Sequence, residues 1–76
     1  MKLTAQTIPE MAKATGIVFD RVRKTKKGVS FIKEYTGSFF SHMGEINQLV
    51  HMEGKYENVK YEALTMAKHS IKVDLS

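Results

Sequence analysis

The chain has no cysteine, no tryptophan and one proline among its 76 residues. Without cysteine there is neither a disulfide framework nor a thiolate metal site, and a reducing cytoplasm is the simplest setting. Residues 1–20 contain no long apolar run, so we expect neither a signal peptide nor a membrane partner. The chain is short enough for one domain over residues 1–76. Because such a domain buries only about 60% of its unfolded surface, we expect a homodimer.

Side chains that would support catalysis or hold a metal are also scarce. The three histidines, His42, His51 and His69, are spaced by nine and eighteen residues, which matches no metal-ligand motif. Ser41 beside His42 is not a nucleophile pair, because adjacent residues diverge on a helix. We therefore predict no catalytic residue, no metal and no cofactor, and we expect that the protein is not an enzyme.

Acidic residues are few in the first part of the chain, where cations accumulate. Up to Lys33 there are eight Lys or Arg and two acids, a net charge of +6, whereas from Glu34 onward the net charge is −2. Five of the cations fall within residues 21–27. Cations at this density repel one another unless an anionic partner is present, so the run predicts binding to a polyanion.

The residues after position 6 predict a short helix over 8–15. Thr7 is a suitable N-cap, and Pro9 and Glu10 follow it in the arrangement of a capping box. Gly16 then supplies the positive φ of a tight turn, because glycine reaches that conformation at little cost.

A second, cationic helix is predicted from residue 18 or 20 to residue 26, ending at Gly28. Ala12, Gly16 and Val22 would lie on the inner side of the two helices, where small or apolar side chains are required. This spacing is that of a helix-turn-helix, whose second helix lies in the major groove of DNA.

Residues 7–27 resemble the helix-turn-helix of small bacterial and phage DNA-binding proteins. The headpieces of LacI-type repressors are the nearest, followed by MerR-type regulators and phage excisionases. The resemblance implies a small transcription regulator or repressor, of phage or mobile-element type, that occupies an operator-like site on double-stranded DNA. It is carried by Thr7, Ile8, Met11, Ala12, Gly16, Ile17 and Val22.

The cations of the second helix would divide between bases and phosphates. Arg21 and Arg23 have the guanidinium fork that matches O6 and N7 of guanine. Lys24, Lys26 and Lys27 suit phosphate contacts.

Three other residues complete the predicted DNA-binding site. Phe19 would press on a thymine methyl or complete the core. Asp20 would cap the second helix or accept a hydrogen bond from cytosine, and the helix beginning at Thr7 would donate backbone N–H groups to a phosphate. The predicted site is therefore Thr7, Phe19, Asp20, Arg21, Arg23, Lys24, Lys26 and Lys27.

Residues 29–42 are ambiguous in the sequence. Residues 29–35 alternate as a strand would, and could turn back through 38–42 as a short β wing. They also fit a short helix that ends at Gly37, because local periodicity does not distinguish runs of this length.

The second half of the chain predicts a helical hairpin. Phe39, Met43, Ile46 and Val50 share one face of a helix over 38–52. A second helix is predicted over 56–71, joined to the first at 53–55, and residues 73–76 form a tail or short strand. The predicted fold is therefore mainly α, with a helix-turn-helix followed by a helical hairpin.

Two other functions fit the same sequence features. A recombination directionality factor would use the DNA-binding motif and the 29–42 wing to bend DNA for an integrase. A small inhibitor or adaptor would instead dock its apolar 39–71 hairpin on a host or phage protein.

Overall fold

The computed structural model of the protein describes residues 2–65 and 69–76. One antiparallel sheet, with strand order β1-β2-β4-β3, is covered on one face by two α-helices. The elements in chain order are α1 (Ile8–Thr15), β1 (Arg21–Thr25), β2 (Gly28–Tyr35), a 3₁₀ helix (Phe39–His42), α2 (Met43–Lys55), β3 (Val59–Thr65) and β4 (His69–Leu75).

The fold is mixed α/β, and the prediction of a mainly α fold is wrong. The predicted second helix of the helix-turn-helix is absent, because Arg21–Thr25 forms β1. The predicted helix over 56–71 is also wrong, because β3 and β4 occupy most of that range. Residues 66–68 of the predicted helix lie outside the described residues. In β4 burial alternates with period two at Ile71, Val73 and Leu75, whereas all five residues of β1 are exposed and that strand is defined by its pairing with β2.

Strand β2 is one of the two alternatives predicted for residues 29–35, but the β wing over 29–42 is wrong. The strand pairs with β1 on one side and with β4 on the other. Gly28 begins this strand instead of ending a helix.

Helix α1 confirms the predicted bounds and both predicted caps. The Thr7 Oγ1 atom accepts a hydrogen bond from the Glu10 N–H at 3.3 Å. Gly16 has φ 77°, and its N–H donates to the carbonyl of Ala12 at 2.7 Å. Caps of this kind depend only on neighbouring residues, which is why the sequence predicts them well.

Helix α2 confirms a helix in the predicted region, although its buried face differs from the prediction. Leu49 and Met52 are buried, whereas Met43 and Val50 remain 42% and 49% exposed. The helix ends at Lys55, three residues beyond the end predicted at residue 52. Of the predicted face, Phe39 and Ile46 pack against the core whereas Met43 and Val50 do not, so the prediction of the buried face is correct only in part.

The core lies between the sheet and the two helices. Phe31, Ile71 and Val73 are fully buried on the covered face of the sheet, where Met11 and Leu49 belong to the same cluster of buried side chains. The open face of the sheet carries charged and polar residues, which include the side chains described next.

Candidate functional site

The first hairpin, β1–β2, has a tight turn whose geometry is fixed by two residues. Thr25 pairs with Gly28 across Lys26 and Lys27. The Thr25 hydroxyl donates to the carbonyl of Gly28 at 3.0 Å and accepts from its N–H at 3.2 Å. Gly28 has φ +153°, and a Cβ at this position would overlap the carbonyl oxygen of Leu75. The turn therefore holds both lysines at the tip of the hairpin.

Five cations, which we call the basic hairpin, line this element, and all of them are exposed. Arg21 forms an ion pair with Glu34, with 3.1 Å between Nη2 and Oε1. The other four have no ion-pair partner in residues 2–65 and 69–76. The basic hairpin consists of Arg21, Arg23, Lys24, Lys26 and Lys27.

Two acids close to the hairpin in the sheet, Asp20 and Asp74, make contacts with other residues. The Asp20 carboxylate accepts a hydrogen bond from the backbone N–H of Glu34 at 2.8 Å. Asp74 accepts from the Ser30 hydroxyl and lies 3.8 Å from Lys72 Nζ. Neither acid forms an ion pair with Arg23, Lys24, Lys26 or Lys27 within the described residues.

The cations of β1 project from both sides of the strand. Arg21 and Arg23 pair with Ile32 and Ser30 and therefore point to the open face of the sheet, whereas Lys24 pairs with the inward-facing Val29. Because β1 is an edge strand with all five residues exposed, it forms a ridge with cations on both flanks.

A groove of about 490 Å³ lies beside the hairpin tip on the same part of the surface. Lys26 and Lys27 line it from the turn, and Lys72 and Asp74 line it from β4. Lys72 reaches this place only because β4 pairs with β2, so no local pattern in the sequence indicated it.

The structure brings together five of the eight predicted site residues, leaves Asp20 beside them without its predicted role as a cap, and separates Phe19 and Thr7 from them. The five cations share one hairpin, although they lie on a strand and a turn instead of a helix. Phe19 is 2% exposed and its ring lies 5.8 Å from that of Phe31, so it belongs to the core. Asp20 caps no helix, and Thr7 is the N-cap of α1 in the helical layer.

The basic hairpin carries the strongest chemical signal in the described residues. In that part of the chain, no group of three His, Cys, Asp or Glu side chains would hold a metal ion. Nor does any helix of residues 2–65 and 69–76 have the length and apolar character needed to cross a membrane. Comparison with protein-family models, with curated proteins and with solved structures finds no match to this chain.

Proposed function

We propose that the protein binds double-stranded DNA in the cytoplasm through the basic hairpin and acts as a small regulator that occupies its site. One observation carries this proposal: Arg23, Lys24, Lys26 and Lys27 are exposed on one hairpin without an ion-pair partner in the described residues. A phosphate backbone supplies the missing negative charge, since duplex DNA carries one charge about every 1.7 Å.

A protective role for the cations at the sheet edge explains less of this arrangement. Lysines on an edge strand discourage pairing with other strands, and Lys24 would suffice for that purpose. Lys26 and Lys27 lie in the turn, beyond the paired residues, where there is no strand edge to protect. The full set is better explained by attraction to a polyanion.

A duplex suits this surface better than a single strand. Proteins that bind single strands stack the bases on exposed aromatic rings. Residues 21–27 contain no aromatic residue, and the nearby rings of Phe19 and Phe31 are buried. The part of the sheet that would face a groove of B-form DNA is the edge strand β1 with the turn after it, and the five residues of β1 extend over about 16 Å.

A second candidate function is binding to an acidic protein segment. Strand β1 pairs only with β2 in the described residues, so its other edge is open to an extended peptide. Such a peptide would add a strand to the sheet and place acidic side chains against the cations. This would be the inhibitor or adaptor function, achieved through β1 instead of a helical hairpin.

The test is a titration of fluorescent duplex DNA at several salt concentrations. The logarithm of the affinity should fall with the logarithm of salt at a slope of about −0.9 per phosphate contact, or about −4 for four cations. Replacing Lys26 and Lys27 together by Ala should weaken binding and make the slope shallower by about 2. A duplex labelled at both ends reports bending in the same titration, which the recombination alternative requires.

The matched control replaces Lys13 and Lys55 by Ala, which removes the same charge from exposed positions outside the hairpin. It should leave the affinity close to that of the original protein. Equal losses in the two double variants would show that net charge, and not the hairpin, drives binding. Binding to an acidic peptide but not to DNA would favour the second candidate.

A further inference from the structure

The groove beside the hairpin tip is bounded by two parts of the chain that are far apart in sequence. Lys26 and Lys27 line it from the turn after β1, and Lys72 lines it from β4, which pairs with β2. Its volume of about 490 Å³ lies within the range of about 300–1,000 Å³ that is usual for small-molecule sites. The groove therefore has room for a small molecule and presents lysines to it from both sides.

The side chains that line the groove carry more positive than negative charge. Among the described residues that line it, Asp74 is the one acidic side chain, against three lysines. A terminal carboxylate at Ser76, which also lines the groove, would reduce this excess without cancelling it. An anion is consequently the kind of ligand that the groove attracts.

Asp74 is held in place by contacts on both of its oxygens. Its Oδ1 atom accepts a hydrogen bond at 2.5 Å from the hydroxyl of Ser30, which is 8% exposed. Its Oδ2 atom lies 3.8 Å from Lys72 Nζ. Because the side chains of Lys72 and Asp74 are both partly exposed, this ion pair is weak and does not withdraw Lys72 from a ligand.

A terminal phosphate group matches three lysines better than other common anions do. A phosphate monoester carries about −1.5 to −2 charges and three acceptor oxygens at neutral pH, so it can accept hydrogen bonds from both walls at once. A carboxylate, or one phosphate within a nucleic-acid backbone, carries a single charge. The other residues that line the groove have uncharged side chains, beside which the organic part of such a ligand can lie: Thr25, Gly28, Val29, Ser30, Leu75 and Ser76.

We propose that this groove binds a small organic phosphate of the nucleoside diphosphate class. Lys26 and Lys27 contact the terminal phosphate from the turn, and Lys72 contacts it from β4. Binding of this ligand does not depend on the proposed DNA function. Because Lys26 and Lys27 also belong to the basic hairpin, the ligand would compete with duplex DNA, and this consequence does rest on the proposed function.

Isothermal titration calorimetry with ADP at low salt, without DNA, tests the groove directly. ADP should bind and adenosine, which lacks the phosphates, should not. Lys72→Ala should weaken ADP binding by at least about threefold, the loss of one charged contact at a partly exposed position. The matched control is Lys13→Ala, at an exposed lysine of α1, which should leave the affinity unchanged. No binding of ADP, or equal losses in the two variants, would overturn the proposal.

A second variant changes the affinity in the opposite direction. Asp74→Asn removes the negative charge from the lining and keeps an oxygen that accepts from Ser30, so it should tighten ADP binding by about threefold. Glu57→Gln adds the same charge at an exposed position outside the groove and is the control. An equal gain in both variants would show that net charge acts without the groove, and would contradict the proposed site.

The same titrations separate this proposal from the proposed function. ADP binding that depends on Lys72, without binding of duplex DNA, would support the groove and reject the DNA function. Duplex binding without ADP binding would reject the groove and leave the DNA function standing. Where both ligands bind, ADP should displace the labelled duplex, and Lys72→Ala should raise the ADP concentration that displacement requires.

Discussion

Tyr35 is a buried aromatic residue whose hydroxyl lies in an unfavourable environment. Its ring packs against Phe39 and His42, with centroids 5.9 and 4.6 Å away. The hydroxyl and the Glu45 Oε2 atom are both buried without a hydrogen-bond partner in the described residues. Burial, followed by the neighbouring Glu45 carboxylate, raises the pKa of Tyr35 above its usual range.

Tyr35→Phe should therefore cost no stability at neutral pH and should change the response to alkali. An unfolded tyrosine releases its proton near pH 10, while folded Tyr35 retains its proton. Because the unfolded state then binds fewer protons than the folded state, the free energy of unfolding falls as the pH rises above about 10. We expect urea unfolding at about pH 7 and about pH 11 to show that the free energy of unfolding falls less between the two pH values for Tyr35→Phe than for the original protein. Tyr61→Phe, at a half-buried position, is the control. An equal loss in both variants would contradict this account.

At the scale of elements, the start of β2 depends on the absence of a side chain at Gly28. Gly28→Ala combines a positive φ with overlap on the Leu75 carbonyl, and we expect it to lower the free energy of unfolding by about 2–4 kcal/mol. Gly37→Ala is the matched control, because φ is +80° there but no atom lies within 4 Å, and strain alone should cost about 1–2 kcal/mol. Equal costs in urea unfolding would show that the strand accommodates the overlap.

The sequence predicts an element well where its signals are local. Thr7, Glu10 and Gly16 fix α1 through contacts within a few residues, and both ends of that helix are confirmed. Strand β1 is predicted as a helix because Ala12, Gly16 and Val22 have the spacing of a helix-turn-helix. Only the structure shows that burial alternates just before it, because the exposed Val18 is as apolar in the sequence as the buried Ile17 and Phe19.

The candidate site is predictable in its charge but not in its shape. The five cations fall within seven residues of the sequence, so any fold would have kept them close together. Whether they lie on a helix or a strand depends on pairing between β1, β2 and β4. Ser30 bonds to Asp74, 44 residues away, and no local pattern reports a contact of that range. The same pairing brings Lys72 to the groove.

At the scale of the whole molecule, one buried side chain connects three stretches that are far apart in sequence. Asn58 is 7% exposed, and its Oδ1 accepts a hydrogen bond from the N–H of Leu3 at 2.8 Å. Its Nδ2 donates to the carbonyls of Leu3 at 2.9 Å and Ser76 at 3.3 Å. The amide therefore holds the segment before α1 against the residue that follows β4.

Asn58→Ala should lower the free energy of unfolding by about 2–4 kcal/mol, because three hydrogen bonds are lost and the Leu3 backbone groups lose their partner. Gln48→Ala removes an amide from an exposed position of α2 and should change stability by no more than about 0.5 kcal/mol. Hydrogen exchange provides a local readout. The Leu3 N–H should exchange faster in Asn58→Ala, whereas the exchange rates of the β2 amides should keep the same order relative to one another. An unchanged Leu3 rate would mean that packing of Ala5 and its neighbours holds this segment, with the Asn58 amide contributing little.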